Sequence, residues 1–200
     1  MRLLLGSNNE GKIIEIADVL KGLPIEIVTP KDLSIGDSPE ESGSTFEENA
    51  IEKARFYFER GKLPTIADDS GIIVEALQDE LGLHTRRWGA GPLASDEEWI
   101  EFFLKRMKNE KNKRARFVCA LAYIDPLGVP SAFEGHCEGI ITPTLEADYL
   151  PGLPISACFR PDGFESVFSA LTIEQKNSTS HRGKAANLLR KHLQVTLYNG

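Results

Sequence analysis

Cysteine is scarce: Cys119, Cys137 and Cys158 are the only three in 200 residues. Three thiols cannot all pair within one chain, and Cys119 sits in an apolar run. They read as reduced cysteines of a cytoplasmic protein rather than a disulfide framework. No Cys/His spacing resembles a zinc site. Long apolar runs are missing too. MRLLLGSNNEGK turns polar at Ser7, too early for a secretory signal, and nothing approaches the ~20 residues of a membrane span. Positive charge is also short: the formal net charge is −7, which argues against a polynucleotide partner. A small phosphorylated ligand is not excluded, because it needs only a local cluster of cations. Internal repeats, low-complexity tracts and Ser/Gly linkers are absent. With 41% apolar and 26% charged residues, residues 1–200 read as one domain, large enough for two lobes.

What is present alternates between strand and helix patterns. RLLLG (2–6) and IEIV (25–28) read as strands around a helix at 10–21, and a polar loop fills 30–44. A helix over 46–60 starts on Thr45/Glu48 or Ser44/Glu47, both at capping-box spacing. TIAD (65–68) is a short strand and GIIVEAL (71–77) another, with a Ser-Gly turn between them. DEEWIEFFLKRMK (96–108) is an amphipathic helix, 114–125 and 131–141 are long paired strands, and 180–193 is a capped helix. Strands outnumber the crossovers an all-parallel sheet needs, so the expected class is α/β with a mixed sheet.

Four segments carry chemistry. SNNEGK (7–12) joins a strand to a helix, with Lys12 in a first turn whose dipole disfavours a cation unless an anion is bound. The glycine spacing of a Walker loop is absent; alone, the segment reads as a polar loop. Lys53 falls inside the apolar stripe of Phe46, Ala50, Ala54 and Tyr57, with Asn49 one turn earlier. It either snorkels to water or meets an anion in a cleft. In TIADDSG, an extended backbone would send Asp68 and Asp69 to opposite sides, hence to different tasks. One would hold magnesium and activate water while the other braces the turn, unless the segment is only a solvated turn. Glu41 in PEES would supply a second hard oxygen donor for magnesium, unless that acid run, like most in loops, is only solvated. In KNSTSHRGKA (176–185), Ser180 is an N-cap, His181 and Arg182 add two potential cations at a positive helix end, and Lys176 precedes them in a loop. Basic residues at helix starts with acids at a strand end suggest metal-assisted phosphate chemistry.

SNNEGK, STFEENAIEKA, IADDSG, GLHTRRWG, RARFVCALAY, EGHCEGII and KNSTSHRGKA, in this order over nearly the whole chain, resemble the inosine/xanthosine triphosphate pyrophosphatase family. The resemblance implies a two-lobed α/β protein with an elongated twisted sheet, a nucleotide cleft between the lobes, and a homodimer. It implies Mg2+-dependent hydrolysis of a nucleoside triphosphate to monophosphate and pyrophosphate. By resemblance, Ser7, Asn8, Asn9, Glu10, Gly11 and Lys12 form the triphosphate loop and Lys53 contacts phosphate. Glu41 and Asp69 are the magnesium-linked acids, with Asp69 the general base, and Ser70 follows as a substrate contact. Lys176, His181 and Arg182 lie near base and phosphates. Arg87 matches a family arginine, with Thr85 in place of a serine. One stretch departs. The family's Gly-Phe-Gly-Tyr/Trp-Asp-Pro run, which stacks on and reads the purine, is Gly152-Leu153-Pro154-Ile155-Ser156-Ala157 here. Stacking worth ~1–3 kcal/mol per base and a carboxylate acceptor are lost. The phosphate chemistry reads as intact. Base preference stays open between purines of the inosine type, another base, and binding with little turnover.

Overall fold

The computed structural model describes residues 1–199 except Asp79 and Pro92, and the side chains of all these but His84, Arg86, Arg87, Tyr198 and Asn199. Six strands form one mixed sheet. β1 (Arg2–Leu5) lies between β2 (Glu26–Val28) and β3 (Thr65–Val74), parallel to both. β4 (Arg114–Ile124), β5 (Pro130–Ile141) and β6 (Phe159–Pro161) extend it by antiparallel pairing, in the order β2-β1-β3-β4-β5-β6. Leu3, Leu4 and Leu5 are fully buried, as an internal parallel strand covered on both faces requires.

One expectation fails here. Asp-Ser-Gly is not a turn: β3 runs unbroken from Thr65 to Val74. The cause lies across the ladder, where β4 pairs with it residue by residue and sets Asp69 opposite Ala120 and Ser70 opposite Cys119. Tertiary pairing overrides local turn propensity. Only Glu75–Leu77 leaves the strand, as a 3₁₀ turn.

Helix α1 (Glu10–Leu20) begins where Asn9 Oδ1 accepts the Lys12 N–H at 3.0 Å. α2 (Phe46–Gly61) begins on Thr45, whose hydroxyl accepts from the Glu48 N–H at 3.0 Å. The Glu48 carboxylate reaches back to the Ser44 N–H and hydroxyl, both at 2.7 Å, so the Ser44/Glu47 alternative is not used. α2 lies on the sheet through an alanine seam of Ala50, Ala54, Ala67, Ala120 and Ala122. Small side chains let the helix approach closely, which brings its Asn49 and Lys53 to β3. α3 (Asp96–Met107) opens on a Ser95/Glu98 capping box.

A short helix α4 (Ile173–Thr179) precedes α5 (His181–Asn199). Lys176 therefore stands on a helix, not in a loop. Thr172 and Gln175 close a capping box there whose signal lies just outside the basic motif. Ser180 caps α5 by accepting the Gly183 N–H at 2.9 Å. The start of α5 sits on β5 at Gly135, where an added Cβ would come 2.1 Å from the His181 carbonyl oxygen. Only glycine permits that approach, and it places His181 and Arg182 over the sheet.

Two large apolar clusters flank this middle. One joins β1, Ile66, Leu121 and Tyr123 to α1 and α5. The other gathers Ile72, Val74, Trp99, Phe103, Phe159 and Phe168. Trp99, Ile155 and Phe168 of the second cluster line the cleft.

Candidate active site

The cleft encloses about 470 Å³, within the usual range for a small-molecule site. Its walls differ in kind. At one end stand Ser7, Asn8, Asn9, Lys12, Lys53 and the β3 carboxylates; at the other stand Leu83, Trp99, Phe117, Ile155 and Phe168, with Leu153 packed against Gly11.

β3 sends Asp68 and Asp69 to opposite faces, as an extended chain must. Asp68 is 1% exposed and is cross-linked throughout. Lys12 Nζ lies 2.9 Å and Arg182 Nε 3.6 Å from its Oδ2, and the Ser70 hydroxyl donates to the same oxygen at 3.0 Å. Burial opposes its charge, yet Lys12, Arg182 and Lys53 together hold the carboxyl well below the usual carboxylate range. Asp68 is thus a fixed anion that orients cations.

Asp69 is poised differently. Its Oδ2 accepts from the Asn49 amide at 3.0 Å, and Asn49 is held in turn by the Gly43 N–H at 2.8 Å. Lys53 Nζ lies 3.7 Å from Asp69 Oδ1, donates to Glu41 Oε1 at 2.8 Å, and also donates to the Asp68 carbonyl at 3.0 Å. Burial, reinforced by Glu41, raises the Asp69 pKa against the pull of Lys53 and Lys12. A carboxylate kept ionisable but more basic than usual suits proton abstraction. Lys53 is itself buried, but Asp68, Asp69 and Glu41 more than offset that and raise its pKa. Of the two readings for this lysine, the cleft prevails.

Arg182 is 3% exposed and fully charged: burial disfavours the ion, but Glu15 and Asp68 raise its pKa. Its Nη1 donates to Glu15 Oε2 at 2.5 Å and its Nη2 to the Ser70 hydroxyl at 3.0 Å. Lys176 Nζ joins the other Glu15 oxygen at 3.1 Å. Glu15, on the cleft side of α1, is absent from the sequence-derived set. Its spacing three residues after Lys12 was the available signal, since i and i+3 share a helix face.

The cations at the helix starts therefore already have carboxylate partners, Asp68 and Glu15, and do not require a ligand to be tolerated. His181 is no cation. Burial and the neighbouring Arg182 push its pKa well below the ordinary value, and the neutral ring stacks on Phe117 with centroids 4.6 Å apart and 11° between planes.

The SNNEGK segment divides. Ser7, Asn8, Asn9 and Lys12 line the cleft. Glu10 is exposed and belongs to the helix start, away from the lining. Gly11 serves packing, since an added Cβ would strike Leu153 and the Pro151 carbonyl. Asn9 Nδ2 donates to the Gly152 carbonyl at 3.2 Å, and Gly152, at φ +78°, has no room for a Cβ against Asn9. The Thr85 hydroxyl accepts from the Ile72 N–H at 3.1 Å and donates to the Gly82 carbonyl at 2.6 Å, pinning the 3₁₀ segment Gly82–Arg87 to β3. The side chain of Arg87 lies outside the described residues.

Glu41 and Asp69 converge on one ammonium group, so the two hard-oxygen donors already share a cationic position. That donor set fits magnesium, which typically takes one or two carboxylates and completes its shell with water and phosphate oxygens.

Residues 3–192 match the model of the Ham1 family. The dITP/XTP pyrophosphatase of Leptospira interrogans serogroup Icterohaemorrhagiae serovar copenhageni (strain Fiocruz L1-130) is 42% identical over 194 residues, covering 97% of this chain and 98% of that protein. That of Aquifex aeolicus (strain VF5) is 37% identical, covering 98% and 96%. The solved Ham1 protein of Staphylococcus aureus superposes with a TM-score of 0.81 at 33% identity, covering 98% of this chain and 100% of that one. With its sheet order, its paired strand carboxylates and matches along nearly its full length, the chain belongs to the Ham1 family.

Proposed function

We propose that this protein hydrolyses inosine-type and xanthosine-type nucleoside triphosphates (ITP, dITP, XTP) to the monophosphate and pyrophosphate, with Mg2+ as cofactor. The observation that carries the reading is the division of labour on β3. Asp68 is locked as an anion by Lys12 and Arg182, while Asp69 is raised toward the range of a base beside Lys53. Relatives matched over nearly their full length carry the name dITP/XTP pyrophosphatase.

In this mechanism the triphosphate lies along Ser7–Lys12 and exchanges with the carboxylates for the cations they now hold. Lys12, Lys53 and Arg182 neutralise charge on the phosphoryl oxygens as it develops. Asp69 takes the proton of a water that attacks the α-phosphorus, and pyrophosphate leaves with the bonding pair of the α–β bridge. Asn49 holds one oxygen of that carboxylate and Lys53 lies beside the other, which fixes its orientation. Glu41 and Asp69 are the residues that would hold magnesium, whose chemistry when bound is charge stabilisation at the phosphate oxygens. Ser70, hydrogen-bonded to both Asp68 and Arg182, keeps the guanidinium aimed.

The altered 152–157 loop favours a second reading in which the chemistry is the same and the base preference has changed. Apolar Leu153 and Ile155 line the cleft where the resemblance implies two aromatic residues, and Ser156 stands where it implies a carboxylate. As working context we propose a homodimer of two-lobed domains in the cytoplasm; the three buried free thiols support a reducing compartment. Pyrophosphate release from a panel of triphosphates, with and without magnesium, tests the activity, the cofactor and the base preference. Selective turnover of ITP and XTP is expected, preference for another base would favour the second reading, and binding without release would overturn the activity.

A further inference from the structure

The proposed chemistry leaves two buried nitrogens of the cleft unused. Among the described residues, Trp99 Nε1 and His181 Nδ1 are buried and meet no hydrogen-bond partner in the protein, and both residues line the cleft. Arg182 Nε shares that state but faces Asp68 at 3.6 Å. An indole N–H is a donor only, and an unmet buried donor destabilises the free protein.

Trp99 is built in firmly. It is 2% exposed, stacks on Phe103 with centroids 5.4 Å apart and 14° between planes, and meets Trp88 edge-on at 6.2 Å. It shares one apolar cluster with Ile155 and Phe168, and all three line the cleft. Its helix α3 also holds the loop, because Asp96 Oδ2 accepts the Gly152 N–H at 2.5 Å. Within the loop the Ser156 hydroxyl is already given to the Leu153 carbonyl at 2.6 Å, and residues 152–157 contain neither an aromatic ring nor a carboxylate.

We propose that Trp99 is the specificity-determining residue for the base, its ring walling the pocket and its Nε1–H donating to the 6-oxo oxygen of a 6-oxopurine. The proposal rests on the nucleotide reading above. Adenine presents an amino donor at that position, which the indole would oppose, so the base class follows from donor chemistry.

Trp99→Phe keeps a ring and removes the donor. The comparison that decides is kcat/KM for inosine triphosphate against purine riboside triphosphate, which carries hydrogen in place of the 6-oxo group. The variant should lose roughly three- to tenfold on inosine triphosphate, leave purine riboside triphosphate unchanged, and melt no lower than wild type. Equal losses on both nucleotides, or none, would overturn the assignment. Wild type that releases pyrophosphate from neither nucleotide would overturn the activity and the assignment together. A wild type active on inosine triphosphate with an unchanged ratio in the variant would overturn the Trp99 role alone. Should Trp99→Phe fail to fold, Trp88→Phe leaves Trp99 as the sole tryptophan. Inosine monophosphate should then alter its fluorescence, and an unchanged spectrum at saturation would overturn the proposal.

Discussion

The two ends of the cleft are stabilised in opposite ways. At the phosphate end every carboxylate described is tied to a cation or an amide, and Asp68, Arg182 and Glu15 form one buried network. At the base end the walls are apolar and the buried nitrogens of Trp99 and His181 have no partner. The first end is pre-formed without ligand, so substrate must displace internal ion pairs. The second is held mainly by packing, with hydrogen bonds confined to its loop, and leaves the Trp99 and His181 nitrogens for whatever enters. Charge therefore sets where the triphosphate lies, and shape with few directional groups sets which base follows it.

The strongest test of the charged end is Asp69→Asn. Turnover should fall by ~10²–10⁴-fold, the usual contribution of a positioned base. The folded pKa of Asp69 lies above its unfolded value, so stability falls as pH rises from the unfolded pKa through the folded one, and the cost is fully present above it. Asp69→Asn, which never charges, should therefore melt higher than wild type at neutral pH. A variant that is inactive and less stable would contradict the poised-base reading.

Next in size is Arg182→Leu. It leaves Asp68 with Lys12 as its only adjoining cation among the described residues and weakens the hold on Glu15, and losing one partner of a buried pair costs ~3–5 kcal/mol. For a chain this long that lowers the melting temperature by on the order of 10 °C. A drop of a degree or two would mean the network is solvated. A subtler effect is expected from Lys53→Met, which removes the nearest cation holding the Asp69 pKa down. Beyond its loss of rate, the acid limb of kcat/KM should move to higher pH; an unmoved limb would assign that limb to another group. The smallest effect couples the two ends. Asn9→Ser keeps an N-cap acceptor and loses the amide donor to Gly152. KM for inosine triphosphate should rise roughly two- to fivefold with inhibition by pyrophosphate unchanged, whereas weakened inhibition would place Asn9 on the phosphates alone.

Much of the charged end was legible because its residues sit at element termini, where local chemistry leaves a signature. Asn9, Thr45 and Ser180 announce helix starts, and the acids follow an apolar strand. Lys53 was legible as an anomaly in an apolar stripe, though not its outcome. Glu15 was missed because one acid on an amphipathic helix looks like any solvated residue until Arg182, 167 positions away, closes on it. Trp99 was missed for the converse reason: its spacing on α3 is that of a core residue, and periodicity cannot tell a cavity wall from an interior.

By itself, then, the sequence determined most of the elements, though not α4 or β6, and with them the mixed α/β arrangement, the opposite facing of Asp68 and Asp69, and the family, because propensity, capping and strand alternation act over a few residues. Tertiary structure alone decided that β3 runs through its acids rather than turning, since β4 supplies the pairing. It alone made His181 neutral, paired the helix-start cations with Glu15 and Asp68, and left the Trp99 nitrogen unmet. Each of these depends on desolvation and on charges brought together from distant parts of the chain, which no local pattern encodes.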